Sequence, residues 1–276
     1  MALGKSHVAL LNFIVYTNVW VSLVAALLYC QTQYLFLDKV YLPEVLVVFF
    51  LTLASYSFQR LFLSGDQPQG YEKIWKIRRP FLIGQTAIGV GVALWFFPMR
   101  WLENWWLLGL LCLISGVYAI RLKGGKSVRE VPYLKIFLIA ISWALCTGVL
   151  ALDSSTPFTQ KGVVFFVYFL WVFALTLPFD YRDRQQPFPI TIPKTIGLKN
   201  TKWIITGCLV SFLLLAQVPH TGAPRWAWLL GIALVYGTVL QMGPKKGDLF
   251  YNFWVEGSIV FPFGCLVLAE YLLSLF

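Results

Sequence analysis

Histidine is nearly absent from this chain. His7 and His220 are the only two, and both fall near turns rather than within apolar runs. A histidine-ligated metal site therefore has no ligand set to draw on. Charge is scarce as well: Asp, Glu, Lys and Arg make up 12% of the residues, against about a quarter in ordinary globular chains. The five cysteines (Cys30, Cys112, Cys146, Cys208 and Cys265) form no C-x-x-C pair and lie in or at the ends of apolar runs. They read as small hydrophobes, not as a zinc or disulfide framework. No low-complexity segment or polar linker divides the chain, so residues 1–276 are expected to form a single polytopic domain.

What is abundant is apolar. Hydrophobic residues make up 59% and aromatics 17%, in blocks long enough to cross a bilayer, which takes roughly 20 residues. Nine spans can be drawn, at 8–30, 43–63, 81–98, 101–120, 133–152, 162–180, 200–217, 225–242 and 253–275. Nothing alternates as in a barrel, and open strands cannot satisfy their backbone in lipid, so the spans predict an all-α membrane protein with nine transmembrane helices. The first span has no small-residue cleavage site after it and reads as a retained helix.

The net charge of +10 would suggest nucleic acid in a soluble chain. Here loop basicity has a nearer cause, helix orientation, and no nucleic-acid partner is expected. Lys and Arg concentrate in the connections after spans two, four, six and eight. The opposite connections hold only Lys39, Arg100, Lys161 and Arg225. The positive-inside rule then predicts a cytoplasmic N-terminus and basic loops, with the C-terminus outside. The cluster of Trp95, Trp101, Trp105 and Trp106 fits an aromatic belt at the outer interface. Residues 71–80, basic and carrying Trp75, suit a short amphipathic helix at the headgroups, serving either as an anchor or as a lid.

Chemistry-bearing residues are few. Asp180 and Asp183 end span six at a spacing of three, on one face of a helix. Arg182 and Arg184 flank them. Two readings stay open: a site holding a divalent cation against a phosphorylated ligand, or a helix end whose charges neutralise one another. Lys135 falls just inside span five, where it either snorkels to the interface or faces a polar cavity. Glu256, near the same end of span nine, is a possible additional acid. Glu270, fourteen residues on, is about 21 Å further along the helix and reads as solvated. Gly84, Gly89 and Gly91 are expected to let their helix approach a neighbour closely.

The order of these elements resembles the UbiA superfamily of intramembrane prenyltransferases, over nearly the whole chain. Asp180-Tyr181-Arg182-Asp183, then Thr191-Ile192-Pro193 and Gly197, stand where that family's second acidic motif leads into its Thr-Leu/Ile-Pro element. Arg79-Pro80, Tyr118 with its basic loop, and Pro132-Tyr133-Leu134-Lys135 also have counterparts. The first acidic motif, Asn-Asp-x-x-Asp-Arg, is represented by Ser55-Tyr56-Ser57-Phe58-Gln59-Arg60, in which only the arginine remains. The resemblance implies a UbiA-like nine-helix bundle whose site opens to the cytoplasm. It implies a prenyl diphosphate or other isoprenoid lipid as ligand, with membrane lipids around it and no particular oligomeric state. It further implies one Mg²⁺ at Asp180 and Asp183, no carboxylate for a second ion, and phosphate clamps at Arg60, Arg121, Lys135, Arg182 and Lys194. Two functions follow: a prenyltransferase with a reduced metal site, or a non-catalytic isoprenoid-binding relative or partner subunit. A solute transporter ranks below both, because no internal repeat is visible.

Overall fold

The apolar blocks fold as helices, though not as one helix per block. The structure, a computed structural model, describes residues 5–62, 72–119, 128, 131–185, 189–215 and 224–275, and all regular structure among them is helical. In chain order the helices are α1 (Lys5–Tyr16), α2 (Val19–Leu37), α3 (Leu42–Phe62), α4 (Glu72–Trp95), α5 (Trp105–Ala119), α6 (Leu134–Trp143), α7 (Phe158–Arg182), α8 (Ile192–Leu215), α9 (Arg225–Leu240), α10 (Glu256–Ser258) and α11 (Phe261–Leu273). A 3₁₀ stretch, Met99–Asn104, leads into α5. One π turn, Ala144–Val149, prolongs α6, and a second, Phe250–Val255, precedes α10.

Four of these helical stretches are individually long and apolar enough to cross a membrane: Val19–Leu37, Leu42–Leu61, Phe158–Gln185 and Ile192–Leu215. Two bent pairs raise that to six if each is one span. They are Arg79–Trp95 with Met99–Tyr118, bent by 99°, and Phe250–Ser258 with Phe261–Leu273, bent by 53°. Leu134–Val149 and Arg225–Leu240 are shorter apolar helices. Large apolar side chains such as Ile88, Leu94, Leu113, Leu214 and Leu229 point outward. In water such a surface would aggregate; in a bilayer it meets lipid tails. The chain is an integral membrane protein.

The expected first span is two helices. The chain breaks at Asn18, whose backbone is left-handed (φ 65°) and whose side chain is fully buried. Asparagine tolerates this conformation better than most residues. Its Nδ2 donates to Ser57 Oγ on α3 at 3.2 Å. Ser57 Oγ in turn donates to Gln85 Oε1 on α4 at 3.3 Å, and Gln85 Nε2 donates to the Thr17 carbonyl at 3.0 Å. α2 then runs on to Leu37, past the expected end near residue 30. The amphipathic segment expected at 71–80 is not separate. From residue 72 it is continuous with α4, which passes through Pro80; residue 71 lies outside the described part.

α7 is the central rod. Trp171, Leu175 and Leu177 on it are almost fully buried, and it packs against α6, α8 and the π turns of both flanking segments. Only one of the three α4 glycines makes a close approach. A Cβ on Gly89 would sit 2.6 Å from the Phe50 carbonyl oxygen and 2.9 Å from Ala54 Cβ, whereas Gly84 and Gly91 meet open space. Gly89→Ala should therefore destabilise the α3–α4 pair by about 1–3 kcal/mol through overpacking. Gly91→Ala should be neutral or slightly stabilising, since alanine is the better helix former. Melting curves of the two variants in detergent check the contrast; equal melting points would contradict the close approach.

One end of the bundle is locked by buried charge. Glu44, in the first turn of α3 and 3% exposed, forms an ion pair with Arg100. Tyr29 Oη and Gln33 Nε2 donate to Glu44 Oε2 at 2.5 and 2.7 Å. Arg100 Nη1 reaches Asp153 Oδ1 at 2.5 Å, and Trp101 Nε1 donates to Tyr29 Oη at 3.2 Å. This end lies about 30 Å along α3 from its other end, by helix rise over the 21 residues. Glu270, expected to be solvated, instead accepts a hydrogen bond from Tyr34 Oη.

Candidate functional site

The far end of α3 is where the polar residues of five segments meet. α7 continues through Pro178 to Arg182, followed by a 3₁₀ turn, Asp183–Gln185. This carries Asp180 and Asp183 to the same side, as their spacing predicts. Neither is turned out to solvent: Asp180 is 2% exposed and the Asp183 side chain 16%. Lys135 comes in from the first turn of α6. Its Nζ lies 3.3 Å from Asp180 Oδ1 and 3.6 Å from Asp183 Oδ2, between the two carboxylates. Of the two readings of Lys135, snorkelling or facing the interior, the second describes this geometry.

Arg182 holds the other side of Asp183. Its Nε donates to Asp183 Oδ1 at 2.7 Å, and Nη1 donates to Asn252 Oδ1 at 2.5 Å in the π turn before α10. Asp248 Oδ1 stands 4.0 Å from Nε. Asp180 and Asp183 thus face Lys135 and Arg182, with the exposed Asp248 at the rim, and α6, α7 and the last segment form the walls. The element after α7 is tied to the same place. Thr191 Oγ1 donates to the Asp180 carbonyl at 3.4 Å, and the Tyr133 backbone N–H donates to the Ile190 carbonyl at 3.1 Å. Tyr133 Oη and Thr195 Oγ1 are 3.2 Å apart. α8 then breaks at Gly197 (φ 78°, ψ 174°), a conformation that glycine alone adopts readily. The residues matched to the Thr-Ile-Pro element therefore form a short turn of their own, pinned under the acids.

The fourth wall is α3. Tyr56 lies beside the Trp143 side chain and within electrostatic reach of Glu256, Tyr118 and Arg60. Glu256 is within reach of both Arg60 and Arg182. Tyr56, Glu256 and Cys146 are half-buried, each keeping part of its surface accessible. Arg60 Nη1 donates to the Tyr16 carbonyl at 2.7 Å. Lys194 is exposed, in the first turn of α8. Arg121 lies outside the described residues. The structure thus brings together Asp180, Asp183, Lys135 and Arg182 directly, with Arg60 and Glu256 beside them. Asn252 and Asp248 were not singled out in the sequence. An amide inside an apolar span is a weak signal, and Asp248 lies in a loop.

A magnesium ion is what the resemblance implies here, and the donor set does not fit one as it stands. Magnesium takes six oxygens at 2.0–2.1 Å. The two carboxylates already neutralise Lys135 and Arg182, and the lysine nitrogen fills the space between them. Among the described residues no group of three or more His, Cys, Asp or Glu converges. On α3, the positions of the absent acids are occupied by groups bonded within the bundle, Gln59 Nε2 to Ser55 Oγ at 3.3 Å among them.

This arrangement of helices defines a known class of fold, that of the UbiA-type prenyltransferases. The chain superposes on a solved structure of digeranylgeranylglyceryl phosphate synthase with a TM-score of 0.55 and 14% sequence identity, covering 96% of this chain and 97% of that one. It also superposes on a UbiA homolog from Archaeoglobus fulgidus bound to GPP and Mg²⁺, with a TM-score of 0.54 and 9% identity, covering 93% of this chain and 99% of that one. No family profile matches the sequence, and no curated protein is similar to it in sequence.

Proposed function

We propose that this protein is an intramembrane transferase that moves a prenyl chain from a lipid diphosphate to a lipophilic acceptor. The observation that supports this reading is the convergence of Lys135, Arg182 and Arg60 with Asp180, Asp183 and Glu256 at one end of an apolar bundle. In this reading nine helices span the membrane and that end faces the cytoplasm, where the basic loops lie.

The chemistry asks for charge at one point. As the bond from the allylic carbon to the diphosphate oxygen breaks, its electron pair leaves on the diphosphate. That developing charge needs preorganised donors. Arg182 and Arg60 offer planar donor forks suited to phosphate, and Lys135 a compact ammonium. Asp180, Asp183 and Asn252 hold Lys135 and Arg182 in place, and the Tyr16 carbonyl holds Arg60, before the ligand arrives, so little reorganisation is left to the reaction. The acceptor's nucleophilic atom bonds the allylic carbon and sheds a proton, for which the Glu256 carboxylate is the candidate base. Apolar walls on α3 and α6 would take the prenyl chain.

A second reading is favoured by one observation. The α3 segment that carries acids in the family is instead knitted into the bundle through Asn18, Ser57 and Gln85. A non-catalytic isoprenoid-binding protein or partner subunit would need nothing more. Purified protein with labelled prenyl diphosphates and membrane lipid acceptors separates the two. The transferase reading expects a labelled lipid product, reduced at least about a hundredfold in the Asp180→Ala/Asp183→Ala double variant. Turnover unaffected by that double change would remove the site. Absence of product, with a neutral isoprenoid copurifying by native mass spectrometry, would establish the second reading.

A further inference from the structure

We infer that the Lys135 ammonium occupies the position a divalent cation would take between Asp180 and Asp183, so that this site excludes magnesium while Lys135 is in place. The inference takes its location from the proposed diphosphate site, but not its chemistry. An ion shared by the two carboxylates must sit about 2 Å from an oxygen of each. Lys135 Nζ stands 3.3 Å from Asp180 Oδ1 and 3.6 Å from Asp183 Oδ2. An ion shared by those two oxygens would sit against the ammonium. The other Asp183 oxygen is already bonded to Arg182 Nε at 2.7 Å.

Charge points the same way. Two carboxylates face one ammonium and one guanidinium, with only the exposed Asp248 beyond them, so an entering Mg²⁺ would add two positive charges where both acids are already paired. Either Lys135 would have to leave, or the repulsion would remain. The Lys135 side chain is only 20% exposed and enters from the first turn of α6, so it has little water to retreat into. Magnesium gives up its hydration shell reluctantly and needs further ligands. The described residues bring no third carboxylate, histidine or cysteine to the pair. The lysine therefore acts as a tethered counter-ion: it is always present, carries half the charge, and cannot diffuse away with the leaving group.

The test uses the whole protein in detergent and no prenyl substrate, so failure of the transferase reading would not disturb it. Mn²⁺ serves as the spectroscopic probe for electron paramagnetic resonance titration, and Mg²⁺ against chelator is the comparison in thermal melting. Wild-type protein is expected to bind no stoichiometric Mn²⁺ and to melt identically with Mg²⁺ and with chelator. Lys135→Ala is expected to bind Mn²⁺ about a hundredfold more tightly or better, given the size of a unit-charge repulsion at this separation, and to melt higher in Mg²⁺. Lys135→Met, which keeps the bulk of the stem, repeats the measurement if the alanine variant does not fold. Saturable Mn²⁺ binding by the wild type that is lost in Asp180→Asn/Asp183→Asn would overturn the inference. So would the absence of binding in both wild type and a folded Lys135 variant, because the lysine would then not be what keeps the ion out.

Discussion

Arg182→Ala is expected to lower turnover by about 10²–10³-fold, the usual cost of deleting a preorganised donor aimed at developing charge. The residue does three things at once. It neutralises Asp183 at 2.7 Å, it reaches across to Asn252 at 2.5 Å, and its guanidinium lies 5.6 Å from the centre of the Phe179 ring. Alanine would leave Asp183 to Lys135 alone and unfasten the end of α7 from the last segment. Arg182→Lys restores the charge but not the fork, because one ammonium is a point charge rather than a planar pair of donors. It should recover only part of the rate. The measurement is kcat and KM for a labelled prenyl diphosphate, with melting curves to show that both variants remain folded. Full activity in a folded Arg182→Ala protein would mean that the guanidinium has no part in the reaction.

Glu44→Ala should produce the largest loss of stability, about 3–5 kcal/mol, because it breaks a buried ion pair from one side only. Arg100 would keep the half-exposed Asp153 as its partner, while Tyr29 and Gln33 would lose the acceptor they share. Glu44→Gln retains an acceptor oxygen for these donors and should lose less. Adding Arg100→Leu to Glu44→Ala should return part of the stability, since the stranded charge is then gone as well. Thermal melting of the four proteins in one detergent tests the set. A single variant as stable as wild type would show that the charges carry no net weight there. Turnover need not follow stability in this series, because the ion pair lies at the opposite end of α3 from Arg60.

The helices were legible because apolar blocks of membrane length leave few alternatives. Their interruptions were less so. Asn18 sits inside an unbroken apolar run, and only its left-handed backbone and its bond to Ser57 show why the helix ends there. The Asp180–Asp183 pair was legible from its spacing, since three residues on a helix fix a common side. The partner of these acids was not. Lys135 lies 45 residues away from Asp180, and its two readings could be separated only by the packing of α6 on α7. The Glu44–Arg100 pair was missed for the same reason: 56 residues separate its partners. The three α4 glycines looked alike in sequence, but only Gly89 faces α3.

The wide π turn at Phe250–Val255 has a geometric consequence for the residue that follows it. An ordinary helix advances each residue by about 100° of rotation. A π turn takes up an extra residue within one coil, and such insertions tend to sit at functional positions. Glu256 is thereby clocked independently of α11 below the 53° bend. Excising one residue upstream would leave α11 anchored against α9 while swinging the carboxylate about a quarter-revolution out of its present bearing on Arg60 and Arg182. The azimuth of that one acid is thus set by the coil's irregularity, and a regular helix of the same composition would point it elsewhere.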